Sequence, residues 1–340
     1  MQPATQLHRE AWPPTAGAPG IVQGHYGAAG NLELVACAVD DGLWVGWFNT
    51  DPTDDGTGAA RLSWSGALRF AHGHRYVAAR ITQATAGPDF LEVLARTADA
   101  TLRRHVWTPE TGFVDHGELA SAVTASTGIV VEAGGAHRVY VADTQGIWLL
   151  RGEPRSAYPA LDFTTELAAL PPVVGVRAID AARHDDHVDV LVLDGSGMVL
   201  LTCPLAAAGE WIPVTRAAAA AALAIDAAGQ GIAVVALDGS ATLLTRSSVR
   251  DTWDCVELPG APVGAAGPSA TVALATGVVD GAAEWQVLLG TGQKIRHLRV
   301  RGQEVSSAVV RAEVPRHPRG RHVPPRAVGP RPVDHPNESF

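Results

Sequence analysis

Six times along the chain a strand-like apolar run meets a tight polar turn and then a second apolar run. The copies are LELVACAVDDGLWVGWF (residues 32–48), FLEVLARTADATLRRHVW (90–107), HRVYVADTQGIWLLR (137–151), VDVLVLDGSGMVLLT (188–202), IAVVALDGSATLLT (232–245) and WQVLLGTGQKIRHLRV (285–300). The apolar residues that restart each copy, from Leu43 to Ile295, are separated by 59, 45, 51, 45 and 52 residues. A unit that recurs at this period with several strands in it cannot bury its faces alone and must stack on its neighbours, which predicts an all-β propeller. Each repeat reads as four antiparallel strands. A small-residue run comes first, the two runs flanking the turn follow, and a less regular run closes the unit. Gly, Pro and Asp clusters punctuate them at meander spacing.

Six blades account for residues 21–314. A seventh would have to hide in the 59-residue first gap, whose extra length the loop DPTDDGTGAA (51–60) already supplies. The run RAAAAAALAID (216–226) has the best helix former in excess, yet it occupies a first-strand position and is expected to be strand. Residues 1–20 hold four prolines and no periodicity, and read as a flexible lead-in. Residues 315–340 hold seven prolines interleaved with Arg and His, cannot bury a core, and read as a disordered tail. Ring closure would come from the interface of the first and last blades, or from an unrecognised strand near Ile21.

Charge narrows the partners. The chain carries −9, and residues 315–340 hold five arginines against Asp334 and Glu338, so the body is the more acidic part. An acidic body argues against nucleic acid as a partner. The segment at the N-terminus lacks a signal-peptide core, and no apolar stretch is long enough to span a membrane, so a soluble, cytoplasmic protein is expected, with export by a route without a cleaved signal left open. Cys37, Cys203 and Cys255 lie in three repeats without metal-ligand spacing and are expected to be free thiols.

The turn unit resembles the blade motif of bacterial PLL-type fucose-binding lectins and related tachylectin-like propellers, which runs roughly LEVFA-x-G-x-D-G-x-L-W-H-x-W-Q. Residues 90–107 and 32–48 match it best. The resemblance implies a six-bladed propeller and a binding module. Carried over by position, the first aromatic is Trp44 and Trp148 in blades 1 and 3, the second is kept as Trp47, and the histidine as His297; the other blades depart from the sugar-contacting pattern.

Two polar clusters stand outside that motif. His72 and His74 lie in the loop between blades 1 and 2, on the face that also bears the turn aspartates Asp40, Asp41, Asp99, Asp143, Asp194 and Asp238. Such a ring of carboxylates could surround the axis and, with a divalent metal, serve a hydrolase or lactonase; Asp-Gly is equally the chemistry of a hairpin turn. His184, Asp186 and His187 are weak metal candidates, because consecutive side chains of an extended segment point apart. No nucleophile, zinc or phosphate-loop motif is present. The expected function is therefore a non-catalytic recognition module for a glycan or a protein partner, without a cofactor. Asp40, Asp41, Trp44, Trp47, His72, His74, Trp148 and His297 are its candidate contacts. The alternatives are the hydrolase and an interaction scaffold whose tail recruits a partner.

Overall fold

The apolar runs flanking each turn form the middle strands of six antiparallel sheets arranged consecutively along the chain. The computed structural model describes residues 7–26, 30–50, 62–83, 90–132, 135–154, 161–184, 187–202, 210–226, 229–247, 252–259, 270–291 and 294–315. The expected tail from residue 316, the loop at 51–60, Asp186 and Cys203 lie outside these.

Blade 1 comprises Thr15–Gln23, Leu32–Ala38, Leu43–Phe48 and Trp64–Phe70, from inner to outer strand. Blade 2 is Tyr76–Gln83, Leu91–Thr97, Leu102–Thr108 and Gly112–Ala120. Blade 4 is Ala178–His184, His187–Leu193, Val199–Thr202 and Ile212–Thr215. Blade 5 is Ala218–Asp226, Gly229–Ala236, Ala241–Ser247 and Asp254–Glu257. Blade 6 is Thr271–Val279, Ala282–Thr291, Lys294–Arg301 and Glu304–Val309. The alanine-rich run is strand, as its repeat position required: it pairs along its length with Gly229–Ala236, and its small side chains fit where the blades converge.

Blade 3 differs. Its second to outer strands are His137–Ala142, Ile147–Pro154 and Leu161–Leu167, but its inner strand is two fragments, Ala125–Ser126 and Val130–Val131, both paired with His137–Ala142. The Thr127 hydroxyl takes the Tyr140 amide at 3.1 Å and donates to Gly128 O at 2.6 Å, so a side chain replaces the ladder at the break.

The core is divided among the six seams between blades. Buried clusters join blades 1–2, 2–3, 3–4, 4–5, 5–6 and 6–1, so the ring is closed. The inner strands approach closely. Ala18 pairs in parallel with Ala78, and beside it Gly17 has φ +69°; a Cβ there would stand 1.9 Å from Val77 O, so only glycine fits.

Closure also corrects the expected lead-in. The inner strand of blade 1 begins at Thr15, ahead of Ile21, and Leu7–Ala11 is itself a strand, paired antiparallel with Arg311–Pro315. The run expected to form one outer strand of blade 6 breaks at Val310; its second half joins the N-terminal strand. Trp12 and Val310, beside this clasp, are buried in the seam between blades 6 and 1.

Turns and inter-blade linkers share one face. The Gly42 amide donates to His74 O at 2.9 Å, Ala98 N to Arg75 O at 2.8 Å, and Leu237 N to Ala217 O at 2.8 Å. Cys37 is buried, Cys255 exposed, and both are free thiols.

Candidate functional site

The turn and linker of blade 1 bring five of the expected residues together. Arg69, on the outer strand, donates to Asp40 Oδ1 at 2.9 Å and to Asp41 O at 3.0 Å, and its guanidinium lies 5.4 Å from the centre of the Trp44 ring. Asp41 Oδ1 accepts the Gly73 amide at 2.7 Å, and Oδ2 lies 3.5 Å from His72 Nδ1. His74 packs edge-on to Tyr76 at 6.0 Å. Asp40, Asp41, Trp44, His72 and His74 thus form one rim cluster whose charges are largely matched within itself.

The remaining candidates lie elsewhere. Trp148 is in blade 3, where its indole donates to Asp143 Oδ2 at 2.9 Å and locks its own turn. His297 is fully buried between blades 6 and 1, 2.8 Å from Gln286 Oε1 and edge-on to Phe48 and Trp64 at 5.1 and 5.3 Å; burial pushes its pKa down to about 3, so it is neutral. His184 and His187 pair through their backbones, and His187 Nε2 lies 3.8 Å from Asp189. Among the described residues no group of three or more His, Cys, Asp or Glu could hold a metal ion.

The axial carboxylate ring is not formed. Asp143, Asp194 and Asp238 turn back on their own hairpins, accepting the amides of Gln145, Ser196 and Ser240 at 2.6, 2.8 and 2.9 Å. The axial cavity, about 590 Å³, has no Asp or Glu among the described residues of its lining; its charged lining residues there are Arg80, Arg96 and Arg177. Turn chemistry holds these acids at the rim, which removes the geometry the hydrolase alternative required.

A site that the sequence did not reveal lies in the seams. Four residues before the last residue pair ahead of each turn, the second strand carries Glu33, Glu92, Arg138, Asp189 and Gly231 in blades 1 to 5; in blade 6, whose ladder runs on to the pair Thr291–Lys294, Gln286 stands five residues before it. In blade 2, Glu92 accepts Arg104 Nε at 2.6 Å and meets His137 Nε2 of blade 3 at 2.8 Å, with the three side chains 1–3% exposed. Burial pushes the Glu92 carboxyl upward, but the His137 hydrogen bond and the Arg104 charge outweigh it and hold it below the ordinary carboxylate range. Asp189 is met from blade 5 by Gln230 at 2.6 Å, and Gln286 pairs with His297 of its own blade. At Gly231 the Trp285 ring fills the space: a Cβ would lie 2.5 Å from it.

Glu33 is the exception. Val45 stands where blade 2 has Arg104, and Leu91 where blade 3 has His137. Among the described residues no hydrogen bond or ion pair reaches its carboxyl, and burial raises its pKa to about 8. Trp47 is its cross-strand partner and lies over Gly66, where a Cβ would stand 2.4 Å from the indole. Glu33 and Gln83 flank Gly24: a Cβ there would meet Glu33 Cγ at 3.0 Å and Gln83 Oε1 at 3.1 Å. At the same seam Tyr26 meets Trp107 edge-on at 5.2 Å. The signal was present in the sequence as a lone charge within an apolar run, but its surroundings come from another blade.

No family model matches the chain, and no curated protein matches it. Solved structures do. The fungal lectin of Aleuria aurantia, described as a six-bladed β-propeller with a novel fucose recognition mode, aligns over 87% of this chain and 97% of its own at TM-score 0.58 and 12% identity. AofleA from Arthrobotrys oligospora covers 91% of both chains at TM-score 0.61 and 11% identity. SapL1 lectin, solved in complex with alpha methyl fucoside, covers 88% and 97% at TM-score 0.55 and 16% identity. The chain is a six-bladed β-propeller. At these identities the likeness is one of fold, and it agrees with the lectin-like blade motif in the sequence.

Proposed function

We propose that this propeller is a non-catalytic recognition module for carbohydrate and that the seam between blades 1 and 2 holds the sugar. The observation that carries the reading is Glu33: a buried carboxyl without a protein partner, beside the half-buried ring of Trp47. A sugar offers hydroxyls to such a carboxyl and C–H faces to such a ring, and a polar group left unmatched inside a seam gains a hydrogen bond when the ligand arrives. Two of the structurally similar lectins, by their own descriptions, recognise fucose or its methyl glycoside, so fucosylated glycans are the first ligands to try. The rim cluster of Asp40, Asp41, Trp44, His72 and His74 is the secondary candidate; its charges already have partners.

Glycan-array binding of the parent, Glu33→Ala, Trp47→Ala and the rim double variant Trp44→Ala/His74→Ala tests both surfaces. Loss of glycan binding in the Glu33 and Trp47 variants, with melting within a few degrees of the parent and the rim variant unaffected, is the expected result. A parent that binds no glycan, or seam variants that bind as the parent does, overturns the reading.

A further inference from the structure

The axial cavity is the second place where polar groups sit in an apolar surround with few partners. Its roughly 590 Å³ is lined by the turn-side ends of the inner strands of all six blades, rich in alanine, with the hydroxyl residues Thr15, Thr124, Ser126 and Thr271. Into this apolar lining the fold places Arg80, Arg96 and Arg177. The chain as a whole carries −9, so three arginines gathered around one void, with no acidic residue among the described residues of its lining, run against its overall charge.

Their partners are few. Arg96 makes no hydrogen bond or ion pair among the described residues, and its Nε is fully shielded from solvent. Burial lowers its pKa, with the Cys37 thiol the sole group opposing the shift; that thiol is itself pushed up to about 12 by burial and stays neutral. Arg80 gives one Nη to Pro19 O at 3.2 Å and leaves its Nε buried and unmatched. The acid that feels Arg80 is Asp180, whose carboxyl takes the amides of Leu223 and Ala181 at 3.1 and 3.0 Å and is pushed toward its neutral form by burial. Arg177 is exposed at the cavity's edge. A guanidinium whose Nε is shielded from water and unmatched gains when an anion completes it, and planar guanidinium donors match oxyanions in pairs.

The geometry points to a binding site for a small oxyanion, phosphate or a polycarboxylate, on the propeller axis, held by Arg80, Arg96 and Arg177. This site is separate from the blade 1–2 seam and does not depend on sugar recognition.

The test uses the full chain, with inorganic phosphate and citrate as probes and sodium chloride at matched ionic strength as the control. Calorimetric titration and melting curves are read for the parent, Arg96→Gln and Arg177→Gln. The expected result is saturable binding of phosphate or citrate with a rise in Tm that chloride does not give, and Kd weakened about tenfold or more in each variant, the effect of losing one charged hydrogen-bond donor. Which of the two probes binds more tightly identifies the oxyanion class. In anion-free buffer Arg96→Gln should melt no lower than the parent, because it removes a half-buried charge that has no counter-ion among the described residues; this separates a binding defect from a folding defect. Arg177, at the exposed edge, gives a second variant with little risk to the fold. No anion-specific shift in the parent, an equal shift in parent and both variants, or an Arg96→Gln protein that melts early without anion would overturn the assignment.

Discussion

Glu33 and Glu92 occupy the same position in successive blades and live in opposite electrostatic worlds. Glu92 faces Arg104 of its own blade and His137 across the blade 2–3 seam, and its charge is held. Glu33 has Val45 at the matching place in its own blade and Leu91 at the one across the blade 1–2 seam, and its charge is expelled. The repeat dictates where a polar side chain enters the seam; two neighbouring side chains, one on the adjacent strand and one on the next blade, decide whether it is a structural clamp or an unfilled position. A clamp rigidifies, whereas an unfilled buried carboxyl invites a ligand.

The sharpest way to break the comparison is to remove the clamp. Glu92→Gln leaves Arg104 without its counter-charge in a seam where it is 2% exposed, and should destabilise by about 3–5 kcal/mol in denaturant unfolding at pH 7. A loss below about 1 kcal/mol would mean that the triad is not the buried ion pair its geometry describes.

The opposite sign is expected at the other seam. Folding raises the Glu33 pKa from 4.5 to about 8, so the folded chain keeps a proton that the unfolded chain has lost. Its contribution is fully present below pH 4.5 and lost as pH rises through about 8. Glu33→Gln should therefore flatten that decline and gain about 2 kcal/mol over the parent at pH 9, less than the roughly 1.4 kcal/mol per pKa unit allows, because water penetrates to a charged group. Glu92, whose pKa is lowered, does the reverse: its support is complete above its unfolded value and fades as pH falls through the folded one. Parallel pH profiles of the two variants that slope the same way would sink the contrast.

The smallest effect belongs to an exposed pair in the same blade. Arg103 Nη2 lies 2.7 Å from Asp115 Oδ2 near the surface, and Arg103→Gln should change stability by less than about 1 kcal/mol, with the difference shrinking further in high salt. Only burial separates this pair from the Glu92 clamp, so a larger value here would show that distance alone sets the energy.

The turn units were legible because everything that defines them is local: apolar strands, a polar turn and the glycines that close it, as at Gly42 with φ +77°. The rim cluster was legible for a related reason, since sheet topology alone puts linker and turn on one face. The clasp was not. LHREA carries too little apolar periodicity to announce a strand, and RAEV read as the end of the last blade's outer strand; each is ordered by a partner at the other end of the sequence. The seam sites were half legible. A glutamate inside LELV or LEVL is visible, but Arg104, which stands 12 residues beyond Glu92, and His137, 45 beyond it, become its neighbours only once the blades stack. The three arginines of the axis come from blades 2 and 4 and converge for the same non-local reason.

The clasp also sets a schedule. Leu7–Ala11 emerges before every blade during synthesis, yet its partner strand, Arg311–Pro315, follows every blade. Until then Trp12, Leu32, Leu34 and Phe48 on one flank and Ala273, Leu288 and Ile295 on the other have no seam to close. A growing chain thus carries one open apolar edge for most of its synthesis, the condition under which misassembly between copies competes with folding. Any truncation that removes Arg311–Pro315 makes that passing vulnerability permanent.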